Sequence, residues 1–280
     1  MGESGGDRDQ VRTLELLWGT RTASGLGRKP GLGLAQIVSA AVEVADSDGL
    51  QSLSMRRVAD RLGVGAMSLY RHVQDKAELL DLMIDRVLAE VRYDEDIDRA
   101  GGDRAGTDPA GAEKAGVDPA GGPSGVDGIG WRSRLERVAR ANRALYERHP
   151  WLLGLFANRP PLGPGVVAKY DAELHAVDGI GLTDVEMDLA LTLVLGYARD
   201  ATASLLEWRS LPERSGEADD EWWARLEPHM TRVLGDRYRL AVRVGTAAST
   251  QYDGVHDAER AWEFGLQRIL DGIESFVGRG

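Results

Sequence analysis

Three observations predict an all-α fold. Apolar residues recur at three- and four-residue spacing through most of the chain, capping pairs precede several of these stretches, and no segment alternates convincingly with period two. Residues 238–244 come closest to alternation and fit either a strand or a short helix.

Taken in order, residues 1–33 are expected to form a flexible arm, rich in glycine and carrying Arg21, Arg28 and Lys29. Trp18 is unusual for such a segment and points to docking on the body of the protein. The first core helix follows, with Leu34, Ile37, Val38, Ala41, Val42 and Ala45 on one stripe and Gly49 placed to end it. Helices are then predicted over 54–62, 66–72 and 76–92, the last opened by Asp75 with Glu78 at capping-box spacing. Residues 94–130 hold ten glycines, a near-repeat (AGTDPAG, AGVDPAG), and nine acidic residues against three basic ones. Their apolar side chains are too few and too small to offset the entropy of ordering, which predicts a disordered acidic linker. Beyond it, helices are predicted over 131–148, 166–178, 184–210, 219–234 and 257–277, with Thr183 and Glu186 forming a second capping box.

Composition bounds the function classes. With 280 residues the chain suits two domains, here 34–93 and 131–280, and its core needs no staples. It has no cysteine, which excludes disulfides, thiolate catalysis and cysteine-based zinc sites and fits a reducing cytoplasm. No secretory segment is visible, and the uncharged apolar run 189–198 is short for a membrane span, so a cytoplasmic chain without membrane insertion is expected. The net charge of −11 resides largely in the linker, and a basic face elsewhere remains compatible with nucleic acid.

The functionally informative stretch is 54–73. Ser54 can cap a short helix whose inner stripe is Val58, Ala59 and Leu62, Gly63 can take the left-handed conformation of a tight corner, and Val64 plugs it. A second helix starts near Ala66, with Leu69 and Val73 inward, and Ala66, Met67, Ser68, Tyr70, Arg71 and His72 outward or flanking. This is the layout of a helix-turn-helix whose second helix enters the major groove. Small residues at the helix start permit close approach to bases, while Tyr70, Arg71, His72 and Lys76 can reach phosphates. Arg56 can reach a guanine edge or a phosphate, and Arg28 and Lys29 could enter a minor groove as flexible arms do. The competing readings are a helical hairpin with a solvated polar face and an arm whose charge is incidental.

On these residues, with LSMRRVA at 53–59, GVGAMSLYRHV at 63–73 and KAELL at 76–80, the region 34–93 resembles the DNA-binding domain of TetR-family transcriptional regulators. Residues 131–280 resemble the tetracycline-repressor-like C-terminal class less tightly, through 137–151 (with YERHPW at 146–151) and the helix from Thr183. The resemblance implies a homodimer that binds a palindromic double-stranded DNA operator, represses transcription, and lets go when a small-molecule effector enters the C-terminal domain. It implies that Arg56, Ala66, Met67 and Ser68 face bases, and Tyr70, His72 and Lys76 phosphates. Tetracycline-binding members carry a drug-contacting histidine at the end of the fourth helix, where this chain has Arg92, so tetracycline is not the expected effector.

In the C-terminal half, the apolar run 189–198 must be covered on more than one side, and the last helix, with Phe264, Leu270 and Phe276, is a plausible partner in a four-helix dimer contact. Trp151, Phe156, Tyr170, His175, Tyr197 and Trp208 are candidate ligand contacts, with core packing the default for each. No enzyme motif is found: there is no HExxH, P-loop or GxSxG, and one histidine beside flexible carboxylates has no metal-site spacing. No cofactor is expected, and the chain is read as a regulator rather than an enzyme. A constitutive DNA-binding protein without effector, and a helical ligand-binding protein or enzyme whose helix-turn-helix is only structural, are the alternatives.

Overall fold

The computed structural model describes residues 5–20, 32–93, 130–155, 160–252 and 256–278. Every regular element among them is helical. The expected linker, apart from Gly130, lies outside the described residues, as do Arg28, Lys29 and Phe156.

Part of the arm expected to be flexible is a helix, α1 (Gly5–Leu17). Its sequence carries only a weak apolar stripe, and what holds it is long-range. Arg12 Nε donates to Glu78 Oε1 at 3.0 Å, Trp18 Nε1 donates to the Leu162 carbonyl at 2.8 Å, and Leu16 and Leu17 pack on the core. Helix α2 (Leu34–Asp48) buries the anticipated stripe from Ile37 to Ala45 and ends at Gly49, where φ is +77°. Three short elements follow: a 3-10 turn (Leu50–Ser52), α3 (Met55–Leu62) and α4 (Ala66–Leu69). Asp75 opens α5 (Lys76–Leu88) by accepting from the Glu78 amide at 2.9 Å. The Glu78 carboxylate does not close the box on Asp75; it accepts from the Gln74 amide at 2.5 Å and from Arg12.

The second unit contains α6 (Trp131–Arg148), a 3-10 turn (Pro150–Gly154), α7 (Pro164–Leu174), α8 (Asp184–Ser215), α9 (Asp219–Leu234), α10 (Arg239–Tyr252) and α11 (Ala258–Val277). The capping box at the start of α8 is complete: Thr183 Oγ1 accepts from the Glu186 amide, and Glu186 accepts from the Thr183 amide at 2.8 Å. Residues 238–244 resolve as helix, the end of a 3-10 turn (Gly235–Tyr238) running into α10. Helix α8 runs five residues beyond its expected end at 210 and is, by length and composition, apolar enough to cross a membrane. The short uncharged run understated that. Its inner face, Leu191, Val194, Ala198, Thr202 and Leu205, is nevertheless spent on packing within the chain, chiefly against α6 and α11.

Two apolar cores result. One joins α2 to α5 with Leu145, Tyr146, Trp151 and Leu152; the other joins α6, the end of α7, α8 and α11. Between them α5 lies against α7. That contact is close because Gly163 and Gly165 have no side chains: a Cβ on Gly165 would overlap the Asp85 carbonyl, and one on Gly163 the Asp85 carboxylate. Gly165→Ala is therefore expected to cost about 1–3 kcal/mol, the usual penalty of overpacking. Gly154→Ala, where a Cβ meets open space, should stay within about 0.5 kcal/mol. Thermal or denaturant unfolding of the two variants against the parent checks this; equal losses would contradict the close approach.

Candidate nucleic-acid interface

The helix-turn-helix is built from short-range devices. Ser54 Oγ accepts from the Arg57 amide at 3.2 Å and so starts α3, while Gly63, with φ +66° and ψ +30°, ends it. An L side chain would be strained in that left-handed region, and a chain reversal here needs it. The turn is closed by the Val64 amide donating to the Ala59 carbonyl at 3.0 Å. Val58, Ala59, Leu69 and Val73 are buried, and Leu62 and Ala66 pack half-buried beside them; Met55, not anticipated, is buried too.

The expected second helix, 66–72, is α-helical only through Leu69. After it the backbone tightens, with the His72 amide donating to the Leu69 carbonyl at 2.8 Å, and the segment turns directly into the Asp75 cap. The anticipated side chains divide by this geometry. Met67 is 74% exposed, and Tyr70, Arg71 and Lys76 are exposed, whereas Ser68 and His72 are half-buried. Ala66, the small residue at the start of α4, is half-buried and packs on the core.

The three arginines of α3 are not equivalent. Arg57 pairs with Asp48 at 2.7 Å and Arg61 with Glu43 at 3.0 Å, both carboxylates on α2, so these two cations are turned toward the domain and already paired. The Arg56 side chain is 89% exposed and reaches only Asp60, at 4.0 Å. Exposed pairs of that kind contribute little, and the guanidinium can exchange its partner for a phosphate or a base edge.

The structure does not bring the candidate ligand contacts together. Trp151 is buried in the first core, its Nε1 donating to Asp46 Oδ1 at 2.7 Å, and it joins the two units. Tyr170 is exposed and donates to Asp188 at 2.7 Å. Tyr197 stacks on Trp262 with its hydroxyl on the backbone of α11, and Trp208 stacks on His256. His175 is half-buried at the end of α7, with Nδ1 unpartnered among the described residues. Aromatic content cannot reveal which rings face a common space; of the described candidates Trp151 and Tyr197 are engaged in packing, while Tyr170 is exposed.

Sequence reasoning missed the polar joint between the units. Asp85 accepts from the Val166 amide at 2.9 Å, capping the first turn of α7 from the side of α5. Burial pushes its carboxyl above the usual range, while the α7 amides pull it back. His149 reaches Asp46 at 2.7 Å through Nδ1 and Glu90 at 3.3 Å through Nε2. Buried Glu173 gathers Tyr93 (2.5 Å), Asn142 (2.6 Å) and Lys169 (2.5 Å). Burial, and next Glu173, drive the Tyr93 hydroxyl pKa far up, so Tyr93 stays a neutral donor. The one local signal was carboxylates at 78 and 85, seven residues apart, on the inner face of α5.

Comparison with known proteins agrees with this architecture. Residues 37–83 match the family described as bacterial regulatory proteins, tetR family, and residues 124–277 match the tetracyclin repressor-like C-terminal domain. The HTH-type transcriptional repressor DrrR1 of Streptomyces coeruleorubidus is 39% identical over 277 residues, covering 99% of this chain and 90% of that one. Tetracycline repressor protein class C of Escherichia coli is 25% identical over 238 residues, covering 85% and 89%. Among solved structures, apo ActR from Streptomyces coelicolor superposes with a TM-score of 0.62 at 23% identity, over 89% of this chain and 99% of that one. With the two matched regions falling on the two helical units, the chain belongs to the TetR family of bacterial transcriptional regulators, with a tetracycline-repressor-like C-terminal domain.

Proposed function

We propose that this chain is a ligand-responsive repressor that binds a palindromic operator as a homodimer, reading DNA with α3, α4 and the start of α5. The observation that carries the reading is the exposed set around the glycine corner: Arg56, Arg71 and Lys76 as cations, with Met67 and Tyr70 between them. Arg56, with Ala66, Met67 and Ser68, addresses base edges; Ser54, Tyr70, Arg71, His72 and Lys76 address the backbone. Full-length similarity to a named repressor supports the sign of regulation. The reading places the chain in the cytoplasm with the DNA it regulates and assigns it no catalysis.

A second copy is the natural cover for the outer face of the C-terminal unit. Val185, Leu189 and Leu193 recur every four residues along α8 and are exposed, Leu189 to 60%, beside exposed Phe264 (65%) and Phe276 on α11. Helices α8 and α11 pack together, so their outer faces form one patch suited to a four-helix contact across a two-fold axis. Dimerisation also sets two recognition segments about one DNA turn apart, which one short helix needs for specificity.

Control follows from the joint. An effector that binds better to one arrangement of α7 against α5 shifts the population toward it, and α5 carries the shift to the half-site spacing. Arg92 in place of the family's drug-contacting histidine speaks for an effector other than tetracycline.

Fluorescence anisotropy on DNA from upstream of the chain's own gene, across a salt series, tests the reading. Arg56→Ala is expected to cost about 1–3 kcal/mol and to relax discrimination, and Arg71→Ala to lower the salt slope by about 1. Binding that is weak, equal for any DNA and indifferent to Arg56 would refute the assigned face. For the dimer, Leu189→Glu combined with Leu193→Glu is expected to sediment as the 30.4 kDa single chain and to lose operator affinity. A variant that stays dimeric would move the interface elsewhere.

A further inference from the structure

An open cavity of about 680 Å³ lies where the two units meet, between α1, α2, α5 and α7. That volume is within the ordinary range for a small-molecule site, about 300–1,000 Å³. Its walls are mostly aliphatic: Leu16 and Leu17 from α1, Val38 from α2, Leu82 and Leu88 from α5 and its C-terminal end, and Ala168 from α7. Helix α1 precedes both family-matched regions, so one wall is supplied by a segment that neither of them contains. It is anchored rather than loosely laid on. Arg12 pairs with Glu78, a carboxylate only 5% exposed, and Trp18 bonds the Leu162 carbonyl in the approach to α7.

The charges around the cavity do not balance. Five titratable groups line it: Asp85, Arg86, Arg92, Tyr93 and Lys169. The Asp85 carboxylate is engaged by the first turn of α7, Lys169 is neutralised by Glu173 at 2.5 Å, and Tyr93 donates to the same Glu173. Both arginines are exposed at the rim. Among the described residues Arg92 bonds only the Ala89 carbonyl and Arg86 has no ion-pair partner. An aliphatic cleft with two guanidinium groups at its mouth that have no carboxylate partner among the described residues favours an amphipathic anion, since the fork of an arginine favours planar carboxylate-like acceptors.

We propose that this cavity binds an organic acid, with its apolar, ring-sized body between α1 and α5 and its carboxylate, sulfonate or phenolate against Arg86 and Arg92. The proposal rests on the ligand-responsive reading above and gives that reading a site and a ligand class. An occupant there touches α5 and α7 on both sides of the Asp85 contact, and it also touches α1, so binding and the geometry of the joint are coupled in one place.

Anilinonaphthalene sulfonate, an aromatic body with one fixed negative charge, is a suitable probe, and phenylnaphthylamine is its uncharged counterpart. Titration of the full-length protein, followed by fluorescence, is expected to show one saturable site per chain. Affinity should fall roughly tenfold or more for the uncharged probe and for Arg86→Ala with Arg92→Ala, the loss expected for charge-assisted hydrogen bonds. Ala168→Trp fills the cleft from an exposed position, and Leu17→Asp puts a negative charge in the α1 wall; both should weaken the probe similarly, with unfolding midpoints close to the parent's confirming that the variants are folded. Unchanged affinity in Ala168→Trp and in the double arginine variant would overturn the site. Operator binding by the same unliganded preparations reads the repressor assignment separately. Protein that holds the probe in this cavity but ignores DNA would sink the repressor and keep the site; protein that binds DNA but holds the probe elsewhere would sink the site alone.

Discussion

The contact on which the rest depends is the one between the Asp85 carboxylate of α5 and the first-turn amides of α7. A helix N-terminus exposes unpaired amides with partial positive charge, and a carboxylate placed there is stabilised in its charged form. Here both partners are removed from water, so neither has a good alternative if they separate. The glycines at 163 and 165 allow the backbones to come close enough for this to occur. Helix α5 belongs to the DNA-binding core through Leu79, Leu82 and Met83, and through Asp85 it is also the contact surface of the other unit. Whatever moves α7 therefore moves α5 or breaks the cap.

Around that contact the joint combines apolar packing, with Leu145, Tyr146 and Leu152 in the first core, and a set of polar bonds. Asp46 on α2 takes bonds from both His149 and Trp151, Glu90 faces His149 and Arg148, and Glu173 draws Tyr93 toward α6 and α7. Of these groups His149 and Glu173 are buried, and buried polar groups are expensive to leave unpaired, so loosening at these two is disfavoured. Apolar burial holds each unit and also joins them through the first core, while directional bonds set the detail of how one sits on the other. A transmitter of small shifts needs both properties.

The same division explains what the sequence disclosed. The helix-turn-helix was legible because each of its devices acts within a few residues: the Ser54 cap reaches Arg57, Gly63 turns the chain locally, and Val58, Ala59, Leu69 and Val73 follow helical period. The apolar stripe of α2 and the Thr183 box were legible for the same reason. Helix α1 was not, because it is held by a residue 66 positions away and by a carbonyl 144 positions away. For Trp151 the sequence left core packing and ligand contact both open, because nothing local reveals its partner Asp46, 105 positions away. Helix α4 ends at Leu69 in a tight turn, where the His72 and Val73 amides both donate to the Leu69 carbonyl, a local backbone choice that side-chain period does not encode.

Since the chain has no cysteine, one introduced thiol labels one position per protomer. The most direct test of the account is the distance between spin labels on Met67→Cys across the proposed homodimer, by pulsed electron resonance, in the parent and in Asp85→Ala. The account predicts a single narrow distance in the parent, near the roughly 34–36 Å that separates adjacent half-sites. Asp85→Ala should broaden or displace it while the dimer and the helix content persist. An identical narrow distribution in both proteins would contradict the claim that the Asp85 cap sets the spacing of the recognition segments.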